Sequence, residues 1–297
     1  MLTLNKMGKP ESQILRTRLE NTDEIFRDNG IRNSRLETEV LFCAVLRVKR
    51  LNLYTDEINL GNDQLDTIND WIKRRLAGEP LAYIVGSAVF YGLEFKVDKS
   101  VLIPRAETEL LVEKVLNVIK DNGLSKPVIA DIGTGCGNIA ISLTKQLSSC
   151  KIIATDISGL SLKVAGENAE KYGFEGKITF SKGDLFKPLE GFKEQIDVIV
   201  SNPPYVSACE LNKLQREVRE EPLLALAGGR NGLLFYRKII KEAHLFLKPL
   251  GFLVLELGKG RLEGVNKMLL SAGHYRKTEI FKDYNGIDRI IVCQKIK

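Results

Sequence analysis

Residues Ile196 to Val200 form a short apolar run, and Ser201-Asn202-Pro203-Pro204-Tyr205 ends it with two prolines. A run this short, closing on Val198-Ile199-Val200 and cut by proline, reads as a buried strand whose carboxyl end is held in a fixed turn. Proline locks its own φ, lacks an N–H and restricts the residue before it. The backbone of Asn202 and Pro203 is therefore stiff, and its carbonyl oxygens need not be consumed by a regular ladder. Asn202 adds a side-chain carbonyl acceptor and an NH₂ donor, and Tyr205 adds a flat ring. Together they suit a planar, nitrogen-bearing group. Pro-Pro alone would mark only the end of a strand, so the turn takes its meaning from its surroundings.

Those surroundings alternate. From Lys126 onward the pattern predicts a strand at Val128-Ile129-Ala130, a loop Asp131-Ile132-Gly133-Thr134-Gly135-Cys136-Gly137 and a helix from Asn138 to Leu147. A strand at Lys151 to Thr155 ending in Asp156, a helix from Ser158 to about Tyr172 and a strand at Ile178 to Ser181 follow. After the proline turn come a long polar loop (207–231), a helix from about Gly232 to Leu247 and a buried strand at 251–257. Strand–helix alternation of this kind implies a mainly parallel sheet with helices on both faces. The last two runs, Lys277 to Lys282 and Ile287 to Gln294, flank Tyr284-Asn285-Gly286, a hairpin signal that predicts an antiparallel end to the sheet.

The first part of the chain is different. Residues 11–78 carry apolar side chains at helical spacing, with Asn29-Gly30 and Gly78 as stops. Ser34 with Glu37 reads as a capping box, and Asn62-Asp63 as the cap of a later helix carrying Trp71, which reads as core. No catalytic constellation appears there, so a helical docking module is the expectation. Residues 79–105 turn β-branched and aromatic, with Gly86 and Gly92 as turns, and read as a β-hairpin linker. Pro104-Arg105-Ala106-Glu107-Thr108-Glu109 then opens a helix, acidic in its first turn as the helix dipole favours.

At 297 residues, two domains are expected. The net charge of +6 permits an acidic or nucleic-acid-associated partner without demanding one. Five scattered cysteines form no CxxC pair, and with only His244 and His274 no metal-ligand spacing appears, so no metal is expected. Free thiols suit a reducing cytosol. No run is long enough to span a bilayer, and Met1 to Pro10 lacks a signal peptide's apolar core, so a cytoplasmic protein without a membrane partner is expected.

The glycine loop carries the chemistry. A strand, a glycine loop, a helix, then an acidic residue at the next strand's end is a nucleotide-binding layout. Gly133, Gly135 and Gly137 let a ligand approach the backbone, and Asp156 can accept ribose hydroxyls. A dinucleotide enzyme is the natural rival, but its G-x-G-x-x-G spacing, which seats a pyrophosphate, is replaced here by G-x-G-x-G and Asn138. Asp184-Leu185, after the third strand, could face an adenine edge. Adenine and ribose without pyrophosphate point to S-adenosyl-L-methionine.

Gly133-Thr-Gly-Cys-Gly137, Asp156, Gly183-Asp-Leu-Phe186 and Asn202-Pro-Pro-Tyr205 together resemble a class I methyltransferase acting on a planar nitrogen. Gly78-Glu-Pro-Leu-Ala-Tyr-Ile84, Ile103-Pro-Arg-Ala-Glu-Thr-Glu109, Glu217-Val-Arg-Glu-Glu-Pro222 and Gly232-Leu-Leu-Phe-Tyr-Arg237 resemble the PrmC/HemK family of release-factor N5-glutamine methyltransferases. The resemblance implies an α/β, Rossmann-like, seven-stranded S-adenosylmethionine-dependent domain at 106–297, a helical docking domain at 1–78 and a hairpin linker at 79–105. It implies the glutamine of the Gly-Gly-Gln loop of peptide chain release factors as substrate, and a monomer without direct nucleic-acid contact.

Cofactor contacts are then expected from Gly133, Thr134, Gly135, Cys136, Gly137, Asp156, Asp184, Leu185 and Asn202. The catalytic set is expected to be Asn202, Pro203, Pro204 and Tyr205: Asn202 Oδ1 and the Pro203 carbonyl accept the two N–H hydrogens, Pro204 holds the turn, and Tyr205 packs on the carboxamide. Ala106 stands where the family usually has proline, and Cys136 where it often has threonine or serine. Arg105, Glu107 and Glu109 read equally as a closing set or as helix-start ion pairs, and Glu217, Arg219 and Glu221 as partner recognition or a solvated face. The rivals are a DNA adenine-N6 methyltransferase, which uses a similar clamp on a flipped base, a ribosomal-protein glutamine methyltransferase, and a silent cofactor-binding adaptor.

Overall fold

A computed structural model describes residues 11–297. The expectation about Met1 to Pro10 lies outside the described residues. The chain divides into two compact units, one ending at Val85 and the other running from Gly86 to Lys297.

The first unit is helical: α1 (Glu11–Asp28), α2 (Ser34–Leu46), α3 (Asn52–Thr55), α4 (Asn62–Leu76) and α5 (Leu81–Val85). Leu19, Phe26, Leu41, Phe42, Leu53 and Ile68 form its core, and Trp71 packs against them half-buried. Two expected caps are absent. Ser34 Oγ donates to Asp23 (2.6 Å) instead of closing a box, and Glu37 is drawn away to Arg75 of α4 (2.5 Å). A charge-assisted bond to a buried guanidinium outweighs a local cap. At α4 the cap is Gly61, whose N–H donates to Gln64 Oε1 (3.0 Å), so Asn62 lies inside the helix. The segment 81–85, expected to be extended, is helical.

The second unit opens with a hairpin, β1 (Ser87–Phe90) and β2 (Leu93–Lys96), turned by Tyr91-Gly92. Phe90, Leu93 and Phe95 are buried in the core of this unit. Then come α6 (Glu109–Asp121), β3 (Val128–Ile132), α7 (Asn138–Gln146), β4 (Lys151–Asp156), α8 (Gly159–Lys171), β5 (Ile178–Lys182) and β6 (Ile196–Ser201). The expected polar loop 207–231 holds two short helices, α9 (Ala208–Leu211) and α10 (Leu223–Leu226), and a 3₁₀ turn at Glu217–Glu220. The chain closes with α11 (Leu234–Phe246), β7 (Leu247–Glu256), α12 (Leu262–Ala272), β8 (Tyr275–Lys282) and β9 (Asp288–Lys295). Helix α12 was not anticipated.

The seven-stranded sheet runs β5-β4-β3-β6-β7-β9-β8. The first five are parallel, and β9 is antiparallel to both β7 and β8, giving the expected mixed end. Successive strand residues face opposite layers. Val198 and Val200 of β6 join Val112, Val115 and Ile139 on one face, while Ile199 joins Ile239, Ile240 and Leu269 on the other. Burial on both faces is what the run Val198-Ile199-Val200 of β6 required, while Asp197 within the strand accepts from Val128 N–H (2.8 Å) and pairs with Lys248. Each such apolar side chain contributes about 1.5–3 kcal/mol, so β6, buried at every position, is a sound mount for a rigid turn. Among the described residues no helix is long and apolar enough to cross a membrane.

Candidate active site

β3, β4 and β5 step one way across the sheet, and β6 and β7 step the other, so the order reverses between β3 and β6. At such a switch point the outgoing loops part and leave a crevice beyond the carboxyl ends of the strands. A cavity lies there. Gly133 and Gly135 line it after β3, Asp156 after β4, Asp184 and Leu185 after β5, and Asn202, Pro203 and Pro204 after β6. Its remaining wall includes Pro222 and Phe235, which belong to two of the motifs that carry the resemblance, and Leu102, Ser158 and Leu224, for which the sequence suggested no role in the site.

The loop after β3 is held by backbone and by two carboxylates. Gly133 and Thr134 donate their N–H groups to the Thr155 carbonyl (2.8 and 2.9 Å). Gly135 N–H donates to Asp156 Oδ2 (2.9 Å), whose other oxygen accepts from Ser158 N–H (2.9 Å). Burial raises the Asp156 pKa, opposed by these backbone N–H groups. Beneath the loop Asp131 is fully buried and accepts from the Thr134 hydroxyl (2.7 Å). Burial pushes Asp131 up to about 7 against that bond. Gly133 and Gly135 adopt φ of +77° and +57°, and a Cβ on either would meet nothing within 4 Å. Their bare backbone thus faces open space that a ligand can enter.

Three residues of the loop do not line the cavity. Thr134 is turned down onto Asp131, and Gly137 packs where a Cβ would meet Ile141 (3.1 Å) and Ala165 (3.2 Å). Cys136 is buried, which pushes its thiol up to about 12 and keeps it neutral. Asp184 stays partly exposed, with Lys238 Nζ 3.9 Å from its carboxylate.

The proline turn is clamped from outside. Ser201 Oγ donates to the Ile132 carbonyl (2.6 Å), tying the end of β6 to the end of β3. Gly228 lies so close that a Cβ there would sit 2.7 Å from Tyr205 Cα and 2.8 Å from the Pro204 oxygen. A Cβ at Gly258 would sit 2.7 Å from Tyr205 Cγ. Arg261 Nε donates to the Tyr205 carbonyl (3.2 Å). The Tyr205 ring therefore lies against Gly258 and outside the cavity lining, where packing on a carboxamide had been expected. Burial raises its hydroxyl to about 12.

Behind the turn runs a chain of buried polar groups. Asn202 Nδ2 donates to Thr108 Oγ1 (3.2 Å), and Thr108 Oγ1 donates to Glu256 Oε2 (2.7 Å). Neither Thr108 nor Glu256 was singled out from sequence. The available signal was a lone carboxylate closing the apolar run 252–257. A second buried carboxylate, Glu221, accepts from Ile103 N–H (3.1 Å) and pairs with Arg105, joining the two segments that wall the cavity. Glu221 is thus no solvated residue, whereas Arg219 caps the Asn212 and Leu214 carbonyls and Glu109 accepts from Tyr91 N–H (2.7 Å).

The PrmC N-terminal domain family matches residues 19–86, and the Methyltransferase small domain family matches residues 106–221. A release factor glutamine methyltransferase of Thermodesulfovibrio yellowstonii is 41% identical over 263 residues, covering 88% of this chain and 92% of that protein. One of Geobacter sulfurreducens is 40% identical over 285 residues, covering 95% and 97%. This chain belongs to the release factor glutamine methyltransferase family. A crystal structure of a methyltransferase from Pyrococcus furiosus shares the fold, with a TM-score of 0.51 at 22% identity over 77% of this chain and all of that one. In this methyltransferase the two histidines stand clear of the cavity lining and lie against each other. Their rings stack 3.7 Å apart, and burial lowers the His244 pKa.

Proposed function

We propose that this chain transfers a methyl group from S-adenosyl-L-methionine to the side-chain amide nitrogen of the glutamine in the Gly-Gly-Gln motif of peptide chain release factors. The observation that carries the reading is the meeting of Asn202 and Pro203 with Gly133, Gly135 and Asp156 around one cavity at the switch point. The donor set fits the cofactor: bare glycine backbone open to the cavity, a carboxylate for ribose hydroxyls in Asp156, and Asp184 with Leu185 for the adenine edge. S-adenosylmethionine supplies an electrophilic methyl group on a sulfonium.

An amide nitrogen is a poor nucleophile because its lone pair is delocalised into the carbonyl. Asn202 Oδ1 and the Pro203 carbonyl accept the two N–H hydrogens, holding the nitrogen pyramidal with its lone pair on the other side. The same oxygens stabilise positive charge as it develops on nitrogen, a gain made mainly in the transition state. Pro204 keeps the turn in one conformation, and Tyr205, packed against Gly258, anchors it. No strong base is needed, since an N-methylated amide cation loses its proton readily. Proximity supplies much of the remaining rate.

The match of residues 19–86 to the PrmC N-terminal domain supports the helical unit as the docking module and favours a release factor over a ribosomal protein. In this reading the enzyme works in the cytosol as a monomer without direct nucleic-acid contact. Incubation with methyl-labelled cofactor and purified release factor, ribosomal proteins and DNA, followed by peptide mass spectrometry, tests it. Label on the Gly-Gly-Gln glutamine alone is expected; label on adenine or on a ribosomal protein, with none on the release factor, overturns it.

A further inference from the structure

We propose that Thr108 and Glu256 form a positioning relay that fixes which end of the Asn202 amide faces the substrate. The inference rests on the function proposed above and adds two positioning residues to it. Asn202 directly follows Ser201, the last residue of β6, and Glu256 ends the neighbouring β7, whose Leu255 pairs with Ser201. The two side chains therefore emerge level with one another. Thr108, at the end of the 3₁₀ turn that opens α6, stands between them. Thr108 and Glu256 are both buried, at 2% and 1% exposure, so bulk water does not rewrite their hydrogen bonds.

Proton counting sets the direction. Thr108 has one hydroxyl hydrogen, and ionised Glu256 can only accept, so that hydrogen goes to Glu256. Oγ1 then has only lone pairs to offer Asn202, which must present its NH₂ end. Oδ1 is left pointing elsewhere, and among the described residues nothing bonds it. A reversed amide would set two acceptor oxygens against each other in a buried site, with the NH₂ left to face the substrate's own N–H groups. Protonated Glu256 lifts the constraint. It can donate to Thr108 Oγ1, whose hydrogen then turns to Asn202, and either end of the amide satisfies the chain. The ionised form of Glu256 is therefore the productive one.

The charged and titratable groups around Glu256 come from several elements. Arg289 of β9 and Arg105 favour its ionised form and Glu107 disfavours it. Tyr205 and Tyr236 also face it, and the Tyr236 hydroxyl donates to the Glu256 backbone carbonyl (2.9 Å). Burial dominates, and raises the Glu256 carboxyl to about 7. The relay thus changes state within the working pH range, with the productive state gained as pH rises.

The test compares wild type with Thr108→Val, Thr108→Ser and Glu256→Gln, measuring turnover, cofactor affinity and the Asn202 side-chain ¹⁵N–H₂ resonance against pH. Wild-type turnover should fall on the acid side of pH ~7, and Glu256→Gln should lose that limb. Thr108→Val should lose ~10- to 100-fold in kcat with cofactor affinity unchanged within a few-fold, while Thr108→Ser, which keeps the hydroxyl, stays near wild type. The Asn202 resonance should titrate near pH 7 in wild type and not in Glu256→Gln. Full turnover in Thr108→Val, or an acid limb that survives in Glu256→Gln, overturns the relay. If wild type methylates no glutamine at all, the proposed function fails instead. The resonance still decides the relay then, because a pH-invariant Asn202 signal rules it out and needs neither turnover nor a variant that folds.

Discussion

Two turns leave adjacent parallel strands in this protein, and they are built on opposite plans. The loop after β3 is made of glycines at positive φ, and its support is local: Thr134 holds Asp131 three residues back, and Asp156 comes from the next strand. The turn after β6 is made of prolines, and its supports are remote: Gly228, Gly258, Arg261, Thr108 and Glu256. Both sit over a buried carboxylate held by a threonine hydroxyl. The contrast follows from what each turn must offer. A surface that a ligand approaches needs side chains removed, which a few glycines achieve alone. A pair of acceptors with a fixed direction needs its rotamer and its backbone held, and the holding groups must come from other elements.

The sharpest break in this comparison is Asn202→Ala. Turnover should fall by ~100-fold or more, while cofactor affinity stays within a few-fold, because the acceptor matters mainly in the transition state. Equal losses in both would move Asn202 to the cofactor side and erase the division between the turns. Glycine substitutions come next. Gly228→Ala drives a methyl into the Tyr205 and Pro204 backbone, so ~1–3 kcal/mol of stability and ~10-fold or more of turnover should be lost, with cofactor binding spared. Gly135→Ala meets no atom but strains a positive φ by ~1–2 kcal/mol and projects into the cavity. It should weaken cofactor binding by about tenfold and leave turnover at saturation intact. Unfolding curves, cofactor titrations and saturating rates on the same two variants separate these outcomes.

The same contrast explains what was legible in the sequence. Apart from α5 and α12, the main strand and helix positions followed from hydrophobic period, and the glycine loop and proline turn from their local chemistry. The antiparallel end of the sheet was signalled by Tyr284-Asn285-Gly286, where Gly286 indeed adopts φ of +75°. What escaped depends on partners far along the chain. Glu37 left its predicted cap for Arg75, and Glu256 reaches a threonine 148 residues away. Tyr205 reads as a ring for the substrate carboxamide until Gly258 is folded against it. Polar loop 207–231 hid short helices because each is only one turn long, too short for a hydrophobic period to register.

The smallest effect on turnover is expected from the carboxylate under the glycine loop, and it tests whether Asp131 and Glu256 have separate tasks. Asp131 is held up at about 7, well above its ordinary value near 3.8. The unfolded chain releases this proton near pH 4, while the folded chain keeps it until about 7. Stability from this group is therefore complete below pH ~4, declines as pH rises to ~7 and is flat above. Asp131→Asn removes that decline, so its stability relative to wild type should rise across the same window, read from denaturant unfolding at several pH values. Thr134 can still bond to the amide oxygen, so the loop should keep its shape and saturating turnover should be unchanged. Its acid limb should also survive, since Glu256 is untouched. Loss of that limb in Asp131→Asn would place the pH-sensitive step under the loop after β3, and the remote support of the turn after β6 would then be structural only.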